Sequence, residues 1–279
     1  MYPALSTGMI GVSLPLQEAA RLAAGVGFRG IAVDVGAAVA DPEGVRSVLE
    51  VNKLSPAAWG LPVDLRGDQA KYQEGLTRLP EWAKAANRIG ATRCSTWILP
   101  FSDTLAYQQN LEFHRARLRP CAEVLAEHGC RLGLEFVGGK TVREGHRYEF
   151  AHTQEAMLEL CQAIGTGNVG LLFDSFHWYT SHGTRDDIRR LSDALIVDVH
   201  INDAVQGRGP DEQIDNERGL PGQSGVIDLL GFLTGLKQIG YTGPVTPEPF
   251  TPSLGQMAPE EAIRLTAESL LAVWKKAGI

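Results

Sequence analysis

At 279 residues the chain fits one large domain or two small ones, and its 26 Lys and Arg against 33 Asp and Glu leave a net charge of −7. A surface of that sign is not built to neutralise many phosphates, which argues against nucleic acid or an anionic membrane as partner. The four cysteines, Cys94, Cys121, Cys130 and Cys161, lack the spacing of a zinc knuckle or a redox pair and are expected to be scattered core thiols.

The amino-terminal stretch MYPALSTGMIGVSLPLQEAARLAAG has no basic segment ahead of an apolar one. No uninterrupted apolar run approaches the roughly 18 residues that span a bilayer, so a cytoplasmic location is the default. The first strand is expected in TGMIGVS, 7 to 13. A phrase then recurs: GFRGIAVD (27 to 34), GATRCSTW (90 to 97), GCRLGLEF (129 to 136), GNVGLLFD (167 to 174) and GYTGPVTPE (240 to 248). Each starts on glycine, and most follow a helical stretch such as LPEWAKAANRI or FLTGLKQI. Glycine there is the left-handed residue that ends a helix, and the apolar run after it is a buried strand. SPAAW at 55 to 59 and LIVDVHI at 195 to 201 complete eight strands alternating with eight helices. That count predicts a single α/β domain over residues 1 to 279, a (βα)₈ TIM barrel.

GVGFRG, 25 to 30, matches G-x-G-x-x-G but follows a helix and precedes a strand. A dinucleotide site needs the reverse order. The longest irregular stretch, 202 to 225, lies between the seventh strand and seventh helix, and a loop of that length is usually functional. Gly207, Gly209 and Gly219 are candidate hinges for closing it, and its acidic run DEQIDNE reads as a solvated face.

Barrel chemistry sits where strands end, and four successive strands end in a residue able to bind a metal: Glu135, Asp174, His200 and Glu248. Singly, each has a plainer reading, such as an aspartate capping the next helix. Together on one rim they crowd three like charges. One divalent cation resolves the repulsion, and three oxygens with one nitrogen suit Mn²⁺, Mg²⁺, Co²⁺ or Zn²⁺ without choosing among them. The third and fourth strands end near Trp59 and Trp97, which are candidates to wall a sugar pocket, although a large aromatic is as often core.

The run LGLEFVG, NVGLLFDSFHWY, VHINDA, R-x-x-PG at 218 to 222, GVIDL and EPF resembles the xylose-isomerase-like family of sugar isomerases and epimerases. The inosose isomerases are the nearest branch, and the tagatose and allulose 3-epimerases stand further off. The likeness is specific over 130 to 250 and rests only on the barrel rhythm before that. It implies that Glu135, Asp174, His200 and Glu248 are the metal ligands, with Glu135 and Glu248 also catalytic as acid and base. It implies that His177 and Arg218 hold substrate oxygens, and that Asp203, in an H-x-x-D pattern, supports the metal ligands from behind. A keto-sugar or keto-cyclitol substrate follows, reacting through an enediolate. No phosphate cradle is evident, so an unphosphorylated one is expected. Oligomers are common in the family, and a homo-oligomer is left open.

Three other outcomes are weighed. A lyase, an inosose dehydratase or 3-keto-glycoside eliminase, would use the same enediolate. An abasic-site endonuclease would need further histidines where Trp59 and Trp97 stand, and the loop shows RGL at 218 to 220. A non-catalytic sugar binder has no need of the full ligand set. Pro249 matches the epimerases rather than the inosose isomerases, and GGKTVREGHRYEF, 138 to 150, departs from the latter. Pro247 removes a strand donor, so a bulge that turns Glu248 inward is expected there.

Overall fold

A computed structural model describes residues 1–279. Its main sheet has nine parallel segments: β1 (Tyr2–Leu5), β2 (Gly30–Ile31), β3 (Ser55–Pro56), β4 (Trp59–Gly60), β5 (Arg93–Ile98), β6 (Arg131–Phe136), β7 (Val169–Asp174), β8 (Ile196–Ile201) and β9 (Pro244–Pro247). Neighbours run in the order β3-β2-β1-β9-β8-β7-β6-β5-β4. Segments β3 and β4 are two halves of one station, split at Ala57 and Ala58. Ala57 N–H donates to Ile31 on one side at 2.8 Å, and Leu61 N–H donates to Ser95 on the other at 2.9 Å. The sheet thereby closes into the single-domain TIM barrel that the alternation predicts.

Long helices follow most strands: Leu16–Gly25, Pro42–Asn52, Gln69–Arg88, Tyr107–Glu127, Gln154–Ile164, Leu229–Gln238 and Pro259–Lys276. Their starts are set by side chains that accept orphan backbone N–H groups, including Asp41, Asp68, Thr153 and Asp228. Most of their ends are set by glycine, whereas Pro42–Asn52 ends on Lys53, left-handed at φ +54°. The glycines that open the five recurring phrases, Gly27, Gly90, Gly129, Gly167 and Gly240, all have positive φ, between 68° and 102°, where a side chain would be strained.

The expectation for the first strand is corrected. Strand β1 is YPAL, whereas 7 to 13 forms a 3₁₀ turn, Gly8–Ile10, and a loop. Gly11 sits at φ +70°, a left-handed backbone that cannot continue a strand. The bulge expected at Pro247 is also absent. Pro247 keeps register with Ile201, and Glu248 N–H donates to Ile201 C=O at 3.0 Å. Alternate residues of a parallel strand address opposite neighbours, so the missing proline donor faces away from β8. The irregularity lies one strand over, between Ile196 and Asp198. Beyond it His200 stands level with Asp174, and Asp198, His200 and Asn202 share one face by the period of two.

Candidate active site

Four strand ends deliver the four acidic and imidazole groups to one rim. Glu135 is the fifth residue of β6, Asp174 ends β7, His200 is the fifth residue of β8, and Glu248 directly follows β9. One donor atom from each lies within 4.8 Å of the others. Ligand bonds of about 2.1 Å put opposite donors about 4.2 Å apart, so the span suits a single ion. Two buried atoms in the cluster, Glu135 Oε1 and His200 Nδ1, have no hydrogen-bond partner. Leaving such atoms unpaired costs about 1–3 kcal/mol each, and a cation between them removes that cost. The donor set therefore fits a divalent cation.

The groups behind the cluster fix its orientation. Asp198 Oδ2 lies 3.4 Å from His200 Nε2, which holds the proton on that nitrogen and leaves Nδ1 facing Glu135 and Glu248. Asn202 Nδ2 donates to both oxygens of Asp174, at 3.1 and 3.2 Å. Asp174 also caps the helix Ser175–Thr180, accepting from Phe176 N–H at 2.6 Å. Its plain capping role and its place in the cluster are thus both present. The motif comparison does not reveal Asp198 or Asn202, yet their spacing of two on either side of His200 marks them.

Asp203 takes a different place from the one expected. Its side chain hydrogen-bonds to none of the four cluster residues. Its carboxylate accepts from the backbone N–H of Ala204, Ser224, Gly225 and Ile227 at 2.7–3.0 Å, and its own backbone pairs with Gly219. It staples both ends of the long loop, so Gly219 is clamped rather than hinged. Asp203→Asn puts an NH₂ group against N–H donors, and charge-assisted bonds of this kind are worth about 1.5–3 kcal/mol. Amide hydrogen exchange across residues 204 to 227 is expected to quicken about 10- to 150-fold. Unchanged exchange there would rule out the staple.

That loop carries Arg218 into the cluster. Arg218 Nη1 donates to Asp174 Oδ2 at 2.8 Å and to Glu248 Oε2 at 2.9 Å. Its guanidinium is sandwiched between Phe176 and Phe250, 4.5 and 4.6 Å from the ring centroids. Phe250 holds this position with φ +41°, a strained backbone for an aromatic residue and one of the kind found at functional sites. His177 is buried, and its Nδ1 accepts from Gly138 N–H at 3.2 Å. Its Nε2 faces the cavity, 3.1 Å from Arg218 Nη2. A Cβ at Gly138 would lie 2.4 Å from His177 C=O, so only glycine allows this approach.

A cavity of about 430 Å³ opens over Glu135, Glu248, His177 and Arg218, walled by Trp97, Leu99, Pro100, Val137, Val142 and Phe250. Trp97 is 42 % exposed and lies under the Arg66 guanidinium, 3.8 Å from its ring centroid. Trp59 is not on this wall. It is buried, pairs with Cys94 three residues below the level of Trp97 and Glu135, and donates its indole N–H to Ala91 C=O at 2.8 Å. Trp59 is core because the third station restarts at this residue, low in the barrel.

Burial, then repulsion from Glu248, pushes the Glu135 carboxyl well above the usual range. Burial also pushes Glu248 up, but His200 and Arg218 outweigh it and hold Glu248 low. Burial works against a charged His200, yet Glu248 and Asp198 raise it well above 6.5. Burial and Arg218 lower His177 to about 3. A group whose folded pKa is raised stabilises the fold below its unfolded value and loses that contribution as pH rises. Glu135 and His200 both act this way once pH exceeds their unfolded values of 4.5 and 6.5, while His177 contributes in the opposite sense only below about 6.5. Metal-free protein is therefore expected to lose stability as pH rises above about 6.5, by up to about 1.4 kcal/mol per unit for each proton. Urea unfolding after chelator treatment, beside Glu135→Gln, measures the slope; equal slopes in both proteins would contradict the assignment.

Residues 20–273 match the family model described as xylose isomerase-like TIM barrel. The inosose isomerase of Bacillus velezensis is 34 % identical over 209 residues, covering 75 % of this chain and 71 % of that protein. A 3-dehydroshikimate dehydratase of Pseudomonas aeruginosa is 33 % identical over 135 residues, 48 % of this chain and 20 % of that protein. Among solved structures, a xylose isomerase domain protein from Alicyclobacillus acidocaldarius superposes with TM-score 0.88 at 31 % identity, over 100 % of both chains. The IolI protein with a bound zinc atom shares the fold, with TM-score 0.81 at 21 % identity over 99 % of both chains. With the family model spanning nearly the whole barrel, the chain belongs to the xylose isomerase-like TIM barrel family.

Proposed function

We propose that this chain, an enzyme of the sugar isomerase and epimerase type, moves a proton beside the carbonyl of an unphosphorylated ketose or keto-cyclitol such as an inosose. The observation that carries the reading is the convergence of Glu135, Asp174, His200 and Glu248 within 4.8 Å at a cavity floor, with two buried donor atoms unpartnered. These four residues would hold one divalent cation, Mn²⁺, Mg²⁺, Co²⁺ or Zn²⁺. When bound, it supplies several kcal/mol of charge stabilisation for an enediolate.

The chain's own groups do the rest. Glu248, kept ionised beside Arg218, takes up the proton next to the carbonyl, and the more deeply buried Glu135 gives up its own proton to the enediolate, the two carboxyls then re-equilibrating with solvent. If both act at one carbon from opposite faces, the result is epimerisation; return to the neighbouring carbon shifts the carbonyl. His177 Nε2 and Arg218 hold substrate oxygens. Trp97, Val137, Val142 and Phe250 keep water from the reacting atoms. Arg218 is the one cationic side chain on the cavity wall, and Asp174, Glu248 and Asp215 already occupy it. A phosphate group would therefore meet no uncompensated positive charge there.

The test is a panel of inososes, ketohexoses and 3-keto-glucosides given to metal-stripped and reloaded protein, with products identified by NMR. Metal-dependent interconversion supports the reading; a much higher efficiency with phosphorylated ketoses contradicts it. The dehydratase relative favours one second reading, in which the same enediolate expels a group β to the carbonyl. An unsaturated product in the same spectra would select it.

A further inference from the structure

One carboxylate on the cavity wall has no part in the metal cluster or in the proton transfer. Asp215 lies in the long loop, three residues before Arg218. Its backbone C=O accepts from Arg218 Nε at 2.8 Å, and its Oδ1 accepts from Arg218 Nη2 at 2.8 Å. Oδ1 also stands 3.6 Å from His177 Nε2. The side chain keeps 27 % exposure, it lines the cavity, and Oδ2 has no partner within the protein. One edge of the Arg218 guanidinium is thus bound to Asp215 while its Nη1 reaches Asp174 and Glu248. The two residues are placed as one unit.

The position of this acceptor is informative. Away from the metal cluster the wall is largely apolar, with Trp97, Leu99, Val142 and Phe250, and Asn216 is the one other polar residue that the loop adds beside Asp215 and Arg218. A carboxylate there can accept from hydroxyl groups and repels anions. Its charge also tips the local balance. Asp215 adds one negative charge to the cavity wall beyond the carboxylates of the metal cluster.

We propose that Asp215 is the specificity-determining residue of this site: its free oxygen accepts from hydroxyls at the substrate end remote from the carbonyl, and its charge turns away substrates carrying phosphate or carboxylate there. The proposal rests on the keto-polyol reading above and extends it, since no motif in the sequence marks this position.

Binding of neutral and anionic probes tests it without requiring turnover. The Mn²⁺-loaded full chain, its loading checked by electron paramagnetic resonance, is titrated calorimetrically with myo-inositol and myo-inositol 1-phosphate, and with D-fructose and D-fructose 6-phosphate. The unsubstituted protein is expected to prefer the neutral member of each pair by about tenfold or more. Asp215→Asn and Asp215→Ser should shrink that preference at least fivefold, and Asp215→Glu should retain it. Asp211→Asn removes the same charge from the same loop at an exposed site paired to His182 rather than on the cavity wall, and should also retain it. If Asp215 only orients Arg218, both affinities fall together and the ratio stays fixed, which overturns the proposal while leaving the functional reading intact. If the loaded, unsubstituted protein binds neither neutral probe, both are overturned.

Discussion

Glu248→Gln is expected to lower kcat by about 10³-fold at saturating metal. Glutamine keeps the shape and one acceptor for the Arg218 Nη1 bond, now 2.9 Å long, but it cannot take a proton. A positioned acid or base contributes roughly 10² to 10⁴ in rate. Part of any loss could come from weaker metal binding, because one negative donor is gone. Measuring kcat across a Mn²⁺ titration separates the two, since binding loss is recovered at high metal and loss of the base is not. Glu135→Gln should behave alike, and the double substitution should cost little more than either single one, as expected of residues that act as a unit. A saturated kcat within tenfold of the unsubstituted enzyme would remove Glu248 from the chemistry.

Arg218→Ala is the second large effect, and it acts on stability as well as on rate. The Arg218 side chain is 2 % exposed and pairs with Asp174, itself fully buried, and with Glu248. Removing one member of a buried ion pair leaves the others uncompensated, at about 3–5 kcal/mol. In the metal-free protein a Tm drop of roughly 5–9 °C follows. Metal-loaded protein has a second source of positive charge at the same carboxylates, so its drop should be much smaller. The same substitution should cut kcat/KM by about 10²-fold through loss of a substrate contact. Thermal unfolding with chelator and with Mn²⁺ reads the difference; equal drops in the two forms would show that the guanidinium and the cation do not share these carboxylates.

The barrel and the four-residue cluster were legible because both follow from local repeats. Glycine at positive φ closes most of the long helices, a short apolar run makes the next strand, and the barrel brings strand ends to one rim, so Glu135, Asp174, His200 and Glu248 meet although up to 113 positions separate them. What escaped the sequence depends on where a strand starts or how a loop returns. SPAAW does not show that the third station breaks at Ala57 and resumes at Trp59, which leaves that indole below the cavity. The apolar run TGMIGVS looks like a strand until Gly11 turns left-handed. Asp203 matches a motif, yet its bonds go to residues 224, 225 and 227, across a loop whose return path no spacing rule supplies. Phe250 and Asp215 reach the cavity by the same kind of path. Asp198 was readable in principle, since V-D-V-H on a strand puts both polar side chains on one face.

Exchange of solvent hydrogen tests the central claim most directly, namely that Glu135 and Glu248 move a proton beside a carbonyl at a metal site. The protein is stripped, reloaded with Mn²⁺ or Zn²⁺, and incubated in D₂O with an inosose or a ketohexose that it turns over. Deuterium is expected to enter at the carbon next to the carbonyl, only in the loaded protein, and not in Glu248→Gln. Product that forms without deuterium at either carbon, or deuterium that enters equally without metal, would contradict the account.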